Sequence, residues 1–256
     1  MRFASLGSGS KGNSTIVESG KTCILVDCGF SVKDTVRRLE RLGKKPEDLN
    51  AILVTHEHSD HWKGVLPLAR RYLIDVFITY GCLIATGIRQ EDYSFLKIID
   101  SHNSFDIDGI SIKPIPVPHD AKEPVQYILS TQNNRFGILT DVGCITPFIE
   151  QQYLGCDGLL IEANHDLNLL QEGKYPSFLK QRVASQWGHL NNKQTANLIS
   201  VIDQKTLKKL VIAHISQSNN HIDIVKQAID EVIDGTFEVI YADQEEGFDW
   251  LYLGGL

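Results

Sequence analysis

The chain has 256 residues, of which 42% are hydrophobic and 8% aromatic, enough for the core of one mixed α/β domain and too much for a disordered tail. Its formal net charge of −7 excludes binding to nucleic acid through bulk basic charge. No run of about 18 apolar residues predicts a membrane span, and the opening Met1-Arg2-Phe3-Ala4-Ser5-Leu6-Gly7 lacks the apolar run of a signal peptide.

Three short β-rich segments separated by glycine turns come first: Phe3–Leu6, Thr15–Glu18 and Thr22–Asp27. Ser31 reads as the N-cap of a helix in which Val32, Val36, Leu39 and Leu42 recur at helical spacing, and Gly43 ends it. Arg37, Arg38, Arg41, Lys44 and Lys45 cluster here and read as a solvated helix face. Ala51–Thr55 is an apolar strand, and Lys63–Tyr72 reads as one helix in spite of Pro67. Strands follow near Val76–Thr79, Lys97–Ile99, Ile110–Val117, Gln126–Ser130 and Phe136–Thr140, the last two joined by a turn at Asn133-Asn134.

The second half alternates. Helices are predicted at Pro147–Tyr153, Asp166–Gln171, Ser177–Ala184, Asn192–Ile202 and Ile222–Ile233, with strands at Gly158–Glu162, Leu210–Ala213, Phe237–Ala242 and Phe248–Tyr252. No linker or low-complexity run divides the chain, so residues 1–256 read as one domain of sheets packed face to face with helices outside. The five cysteines, Cys23, Cys28, Cys82, Cys144 and Cys156, are odd in number, scattered and without a CxxC pair. They read as buried thiols of a reduced, cytoplasmic protein.

The segment His56-Glu57-His58-Ser59-Asp60-His61 directly follows the apolar strand at Ala51–Thr55 and places four metal-ligand types within six residues. Imidazole with carboxylate suits Zn²⁺, Mn²⁺ or iron. One tight turn cannot wrap all four around a single ion, but it can feed two neighbouring ions. Further candidates stand at later strand ends: His119 after Pro116-Val117-Pro118, Asp141 after Phe136–Thr140, and His214 after Leu210–Ala213.

The HxHxDH pattern with a later His, Asp and His resembles the metallo-β-lactamase-fold superfamily. Four more segments, Leu6–Ser14, Ile161–Asp166, Gly188–Asn192 and Ala213–Ser216, resemble its YycJ/WalJ family. The resemblance covers nearly the whole chain and implies an α/β fold, a four-layer αββα sandwich. It implies that His56, His58 and His119 hold one divalent ion, that Asp60, His61 and His214 hold a second, and that Asp141 bridges them. Glu57 would not be a ligand, and His58 in the place of a carboxylate speaks against the di-iron, oxygen-reducing branch.

Such a site would be net positive and would attract phosphate despite the acidic whole. Asp60 could orient the attacking water as well as ligate. His189, after Gly188, reads as the general acid for the leaving oxygen of a phosphodiester, by resemblance to related phosphodiesterases. His165 reads as a residue at the edge of the site, and His102 and His221 as surface residues. The Gly7–Asn13 loop is no P-loop, because no GK[ST] opens a helix. Its Ser8, Ser10 and Asn13 are candidate substrate contacts. Cys144 reads as a small buried hydrophobe near Asp141.

The resemblance implies a nuclease or phosphodiesterase acting on DNA in preference to RNA, as an exonuclease from the 5′ end. The alternative is a thioester or lactone hydrolase with the same metals. The strand-like Phe248–Tyr252 followed by Gly254-Gly255-Leu256 lacks the basic helical extension of the glyoxalase-type branch. The interval between Asp141 and His214 has no room for the inserted domain of the larger nucleases. Substrate grip is therefore expected from the rim of the site, from a partner protein or from a second subunit.

Overall fold

In a computed structural model, residues 1–254 are described; Gly255 and Leu256 of the terminal segment lie outside them. In chain order the elements are β1 (Arg2–Gly7), β2 (Ser14–Ser19), β3 (Thr22–Val26), α1 (Val32–Arg41), β4 (Ala51–Leu53), α2 (Ser59–Trp62), α3 (Val65–Tyr72), β5 (Asp75–Thr79), α4 (Tyr80–Ala85), β6 (Leu96–Ile99), β7 (Phe105–Ile107), β8 (Ile110–Pro116) and β9 (Val125–Ser130). They continue with β10 (Arg135–Leu139), α5 (Pro147–Tyr153), β11 (Gly158–Glu162), α6 (Leu167–Glu172), α7 (Ser177–Val183), α8 (Asn192–Val201), β12 (Lys209–Ala213), α9 (Ile222–Asp230), β13 (Glu238–Tyr241) and β14 (Phe248–Tyr252). The strands form two seven-stranded sheets, in the orders β14-β1-β2-β3-β4-β5-β6 and β13-β12-β11-β10-β9-β8-β7.

Two compact units share the chain. The first comprises residues 1–116, 121–134 and 243–254, and the second residues 117–120 and 135–242. In the first unit, β14, β1, β2 and β3 pair antiparallel, and β3, β4, β5 and β6 pair parallel. β7, β8 and β9 form an antiparallel ladder in the same unit. Tyr127, fully buried on β9, donates its hydroxyl to the Val54 carbonyl at 2.7 Å, and Val125 N–H bonds to the Thr55 carbonyl at 3.0 Å. These bonds tie that ladder to the strand that leads into His56.

In the second unit β10, β11, β12 and β13 are all parallel. A parallel strand covered on both faces has no polar side to show, which is why Gly158–Glu162 and Leu210–Ala213 are apolar runs without alternation. The carboxyl ends of β10, β11 and β12 stop in register: Glu162 ends β11, and the loops beyond β10 and β12 carry Asp141 and His214. Among the described residues no helix is long and apolar enough to cross a membrane.

Several sequence expectations need correction. The helix predicted at Lys63–Tyr72 starts at Val65, after a separate short helix at Ser59–Trp62 and a turn at Lys63-Gly64, where a Cβ on Gly64 would stand 2.1 Å from the Phe30 carbonyl oxygen. The helix from Ile222 ends at Asp230. α2, α4 and β7 are short elements that the apolar periodicity missed. The basic cluster on α1 is not a solvated face throughout. Arg38 lies over the Phe30 ring at 4.1 Å and donates to the Leu6 carbonyl, Arg41 donates to the Ser5 carbonyl at 2.9 Å, and Lys44 pairs with Glu18. These three cations clamp α1 and its C-terminal turn to β1 and β2 of the first sheet.

Candidate metal centre

In the first unit the site begins at Asp27, one residue beyond β3. Its backbone is left-handed (φ 60°) and its carboxylate is buried. Oδ1 accepts from Thr55 N–H at 2.8 Å, and Oδ2 accepts from the Thr55 hydroxyl at 2.7 Å and faces His61 Nδ1 at 2.7 Å. A carboxylate can only accept, so His61 carries its proton on Nδ1 and turns the Nε2 lone pair away from Asp27. The Thr55 hydroxyl spends its hydrogen on Asp27 and so accepts from His56 Nδ1 at 2.9 Å. That fixes the Nε2 lone pair of His56 toward His58 Nδ1, 3.0 Å away. One buried carboxylate and one hydroxyl thus set the tautomers of two imidazoles, which a metal ligand requires.

The turn carrying these residues lies flat on the loop after β3. Cys28 N–H bonds to the His61 carbonyl at 2.8 Å, and Asn13 N–H to the Asp60 carbonyl at 2.7 Å. A Cβ on Gly29 would fall 1.7 Å from that same Asp60 oxygen, so only glycine fits. Asn13 is buried, and its amide Nδ2 lies 3.2 Å from Asp60 Oδ2 and 2.9 Å from His61 Nε2. Ser8 is buried, whereas Ser10 is exposed. Glu57 points away from this turn and accepts from Lys122 N–H at 2.8 Å.

In the second unit a cluster of polar groups surrounds Glu162, fully buried at the end of β11. Glu162 Oε1 accepts from Val142 N–H at 2.8 Å and Leu190 N–H at 3.1 Å, and Oε2 faces His189 Nδ1 at 3.1 Å. Asp141 and His214 both take left-handed backbone, φ 54° and φ 51°, just past their strands. Asp141 Oδ2 stands 3.3 Å from His214 Nδ1. Asp141, His189 and His214 bring one ligand atom each within 4.8 Å of one another. His119 donates from Nδ1 to the Gly188 carbonyl at 3.1 Å, which leaves Nε2 as its lone-pair nitrogen.

Burial alone would push His189 down, but the Glu162 charge and hydrogen bond, with Asp141 adding, raise it to about 9. Burial pushes His165 down to about 4, and neither of its ring nitrogens has a hydrogen-bond partner. It is fully buried behind Glu162 and shows nothing to solvent. Cys144 is half-buried, with its thiol raised by burial. His102 and His221 are exposed, and His221 caps α9 by accepting from Asp223 N–H at 3.3 Å. Asp27, Thr55 and Glu162 were not recognised from sequence as parts of the site. Their signals were weak: Asp27 and Thr55 stand just past strands, and Glu162 lies in the Ile161–Asp166 segment that carries the family resemblance.

The chain belongs to the β-lactamase superfamily: the Beta-lactamase superfamily domain model matches residues 22–215. Within that superfamily it is 37% identical over 240 residues to "Exodeoxyribonuclease WalJ" of Streptococcus pneumoniae, covering 88% of this chain and 87% of the relative. It is 31% identical over 238 residues to "Exodeoxyribonuclease YycJ" of Bacillus anthracis, covering 91% and 89%. The crystal structure of the metallo-β-lactamase-fold protein YhfI from Bacillus subtilis superposes with a TM-score of 0.74 at 16% identity, covering 98% of this chain and 99% of that one. Zn²⁺-bound PqqB from Methylobacterium extorquens gives 0.72 at 15%, covering 98% and 100%. The fold is therefore that of the metallo-β-lactamases, and the buried His and Asp groups fit a metal site.

Proposed function

We propose that this chain is a metal-dependent exodeoxyribonuclease that hydrolyses phosphodiester bonds of DNA from the 5′ end. The observation that carries the reading is the relationship over nearly the full length to two proteins named exodeoxyribonucleases. The imidazoles of the first unit, with tautomers set by Asp27 and Thr55, fit divalent metal because their lone-pair nitrogens are already oriented. In this reading His56, His58 and His119 would hold one ion, Asp60, His61 and His214 would hold the other, and Asp141 would be shared by both. The ions are Zn²⁺ or Mn²⁺, since both accept this donor set. Both units then serve one catalytic domain.

Bound metal supplies acidified water at neutral pH and charge to balance the phosphoryl oxygens. The protein supplies the rest. Asp60 orients the attacking water. His189 holds a proton at neutral pH because Glu162 stabilises its cation, and delivers it from Nε2 to the leaving oxygen. Ser8 and Asn13 line the approach beside Asp60, and Ser10 meets the strand from solvent. His165 supports the Glu162–His189 pair from behind. A second subunit or partner protein extends the grip on DNA. The five free thiols support a reduced, cytoplasmic setting.

The test uses protein loaded with Zn²⁺ or Mn²⁺ on 5′-phosphorylated single-stranded and duplex DNA, matched RNA and a thioester. Loss of nucleotides from the 5′ end that disappears in Asp141→Asn supports the proposal. Thioester turnover with DNA left intact would replace it with the small-molecule hydrolase.

A further inference from the structure

Trp187 is 59% exposed, whereas Trp62 and Trp250 are half-buried against the core of the first unit. An indole left in water on a mobile loop would need no explanation, but this one has a rigid mount. The Trp187 backbone N–H bonds to Ser185 Oγ at 3.2 Å, and its backbone carbonyl accepts from Asp120 N–H at 3.0 Å. The next residue, Gly188, gives its carbonyl to His119 Nδ1, and the one after is His189. On the other side a Cβ at Gly143 would come within 2.4 Å of the Trp187 nitrogen, so this backbone is wedged against the segment just past Asp141. The Trp187 backbone is therefore fixed between the segments that carry His119, Asp141 and His189, and its side chain is exposed there. Arg182, more than half exposed, is ion-paired to Asp120 at the same place.

A flat, apolar, exposed ring beside a cation is how single-stranded nucleic acid is gripped without sequence preference: bases stack on the aromatic while the cation follows the backbone. We propose that Trp187 is the stacking platform for the base of the 5′-terminal nucleotide, with Arg182 beside the phosphates. The inference rests on the nuclease reading and adds a substrate form to it. The enzyme takes an unpaired terminal nucleotide, because a base still paired and stacked in duplex cannot offer its face. Sequence tolerance follows, since every base has such a face.

The experiment compares wild type, Trp187→Ala and Trp187→Phe on a 5′-phosphorylated single-stranded oligonucleotide and on the same strand with an abasic first nucleotide. Trp187→Ala is expected to raise KM about tenfold or more with a smaller change in kcat, and Trp187→Phe to retain most of the affinity. Removing the base should weaken wild type by a similar factor and Trp187→Ala hardly at all. Chelator-treated wild type titrated with the intact oligonucleotide should lose indole fluorescence, and Trp187→Phe should not. Cleavage of both strands by Trp187→Ala with wild-type KM would remove this proposal and leave the nuclease reading standing. The same result with loss of a dimer in size-exclusion chromatography would make the indole a contact between copies. Intact DNA with wild-type protein would remove both.

Discussion

Replacing Asp27 tests the claim that a carboxylate away from the ion governs metal binding. Asp27→Ala strips the acceptor from Thr55 N–H, from the Thr55 hydroxyl and from His61 Nδ1, all buried. A stranded buried donor costs about 1–3 kcal/mol, and a Cβ-bearing residue without local polar support at φ 60° about 1–2 kcal/mol more. These costs overlap, so the expected loss is about 3–5 kcal/mol, large for a single substitution. Asp27→Asn is the sharper perturbation. The amide oxygen still accepts from Thr55 N–H, and asparagine tolerates left-handed backbone. Its NH₂ donates where the carboxylate accepted, which drives the His61 proton to Nε2, the nitrogen needed for metal. Stability should fall by less than about 2 kcal/mol, while zinc affinity falls about 10–100-fold. Urea unfolding and zinc competition against a chromogenic chelator measure the two quantities separately. Folded Asp27→Asn that binds zinc as tightly as wild type would refute the tautomer argument.

Three other predictions need fewer words. Gly29→Ala should fail to accumulate as folded protein, since its Cβ would overlap the Asp60 carbonyl; a normal melting curve would contradict the close approach. His165 has its pKa lowered to about 4 in the folded chain, against an unfolded value near 6.5. The unfolded state therefore takes up a proton first, and stability should decline as pH falls from about 6.5 toward 4, by about 3 kcal/mol in total. His165→Phe should flatten that part of the urea-stability profile, and an unchanged slope would place the acid sensitivity elsewhere. Chelation should lower the melting temperature of metal-loaded protein and added Zn²⁺ should restore it, because ions that bind only the folded chain stabilise it by mass action; equal melting with and without metal would argue that the donors hold none.

The parts of the site visible in the sequence were those with a local pattern. His56 to His61 crowd four ligand types into one turn, and Asp141 and His214 each follow an apolar run. Asp27 follows a strand and Glu162 ends one, yet a lone carboxylate at a strand end looks like any turn residue. Their importance lies in what they accept from Thr55, His61 and His189, which are distant in sequence or unremarkable in type. Strand ends in the parallel region were legible because double-sided burial leaves unbroken apolar runs. α4 was not, because its six residues include a glycine and carry no capping side chain. The break before α3 was hidden because a close backbone contact between Gly64 and Phe30 has no counterpart in hydrophobic periodicity.

Among the described residues, five that are not glycine have positive φ, and three of them are Asp27, Asp141 and His214. The sheets hold these backbones in a conformation that most side chains resist, so the chain has met the cost of aiming them before any ion arrives. This bears on how the protein should be dissected. Alanine at Asp27 or Asp141 removes a carboxylate and also loads a disfavoured backbone, so lost activity would have two origins. Asparagine keeps the left-handed backbone tolerable while it removes the charge and turns one acceptor into a donor, so a series built on it separates the chemistry of the donors from the shape that presents them.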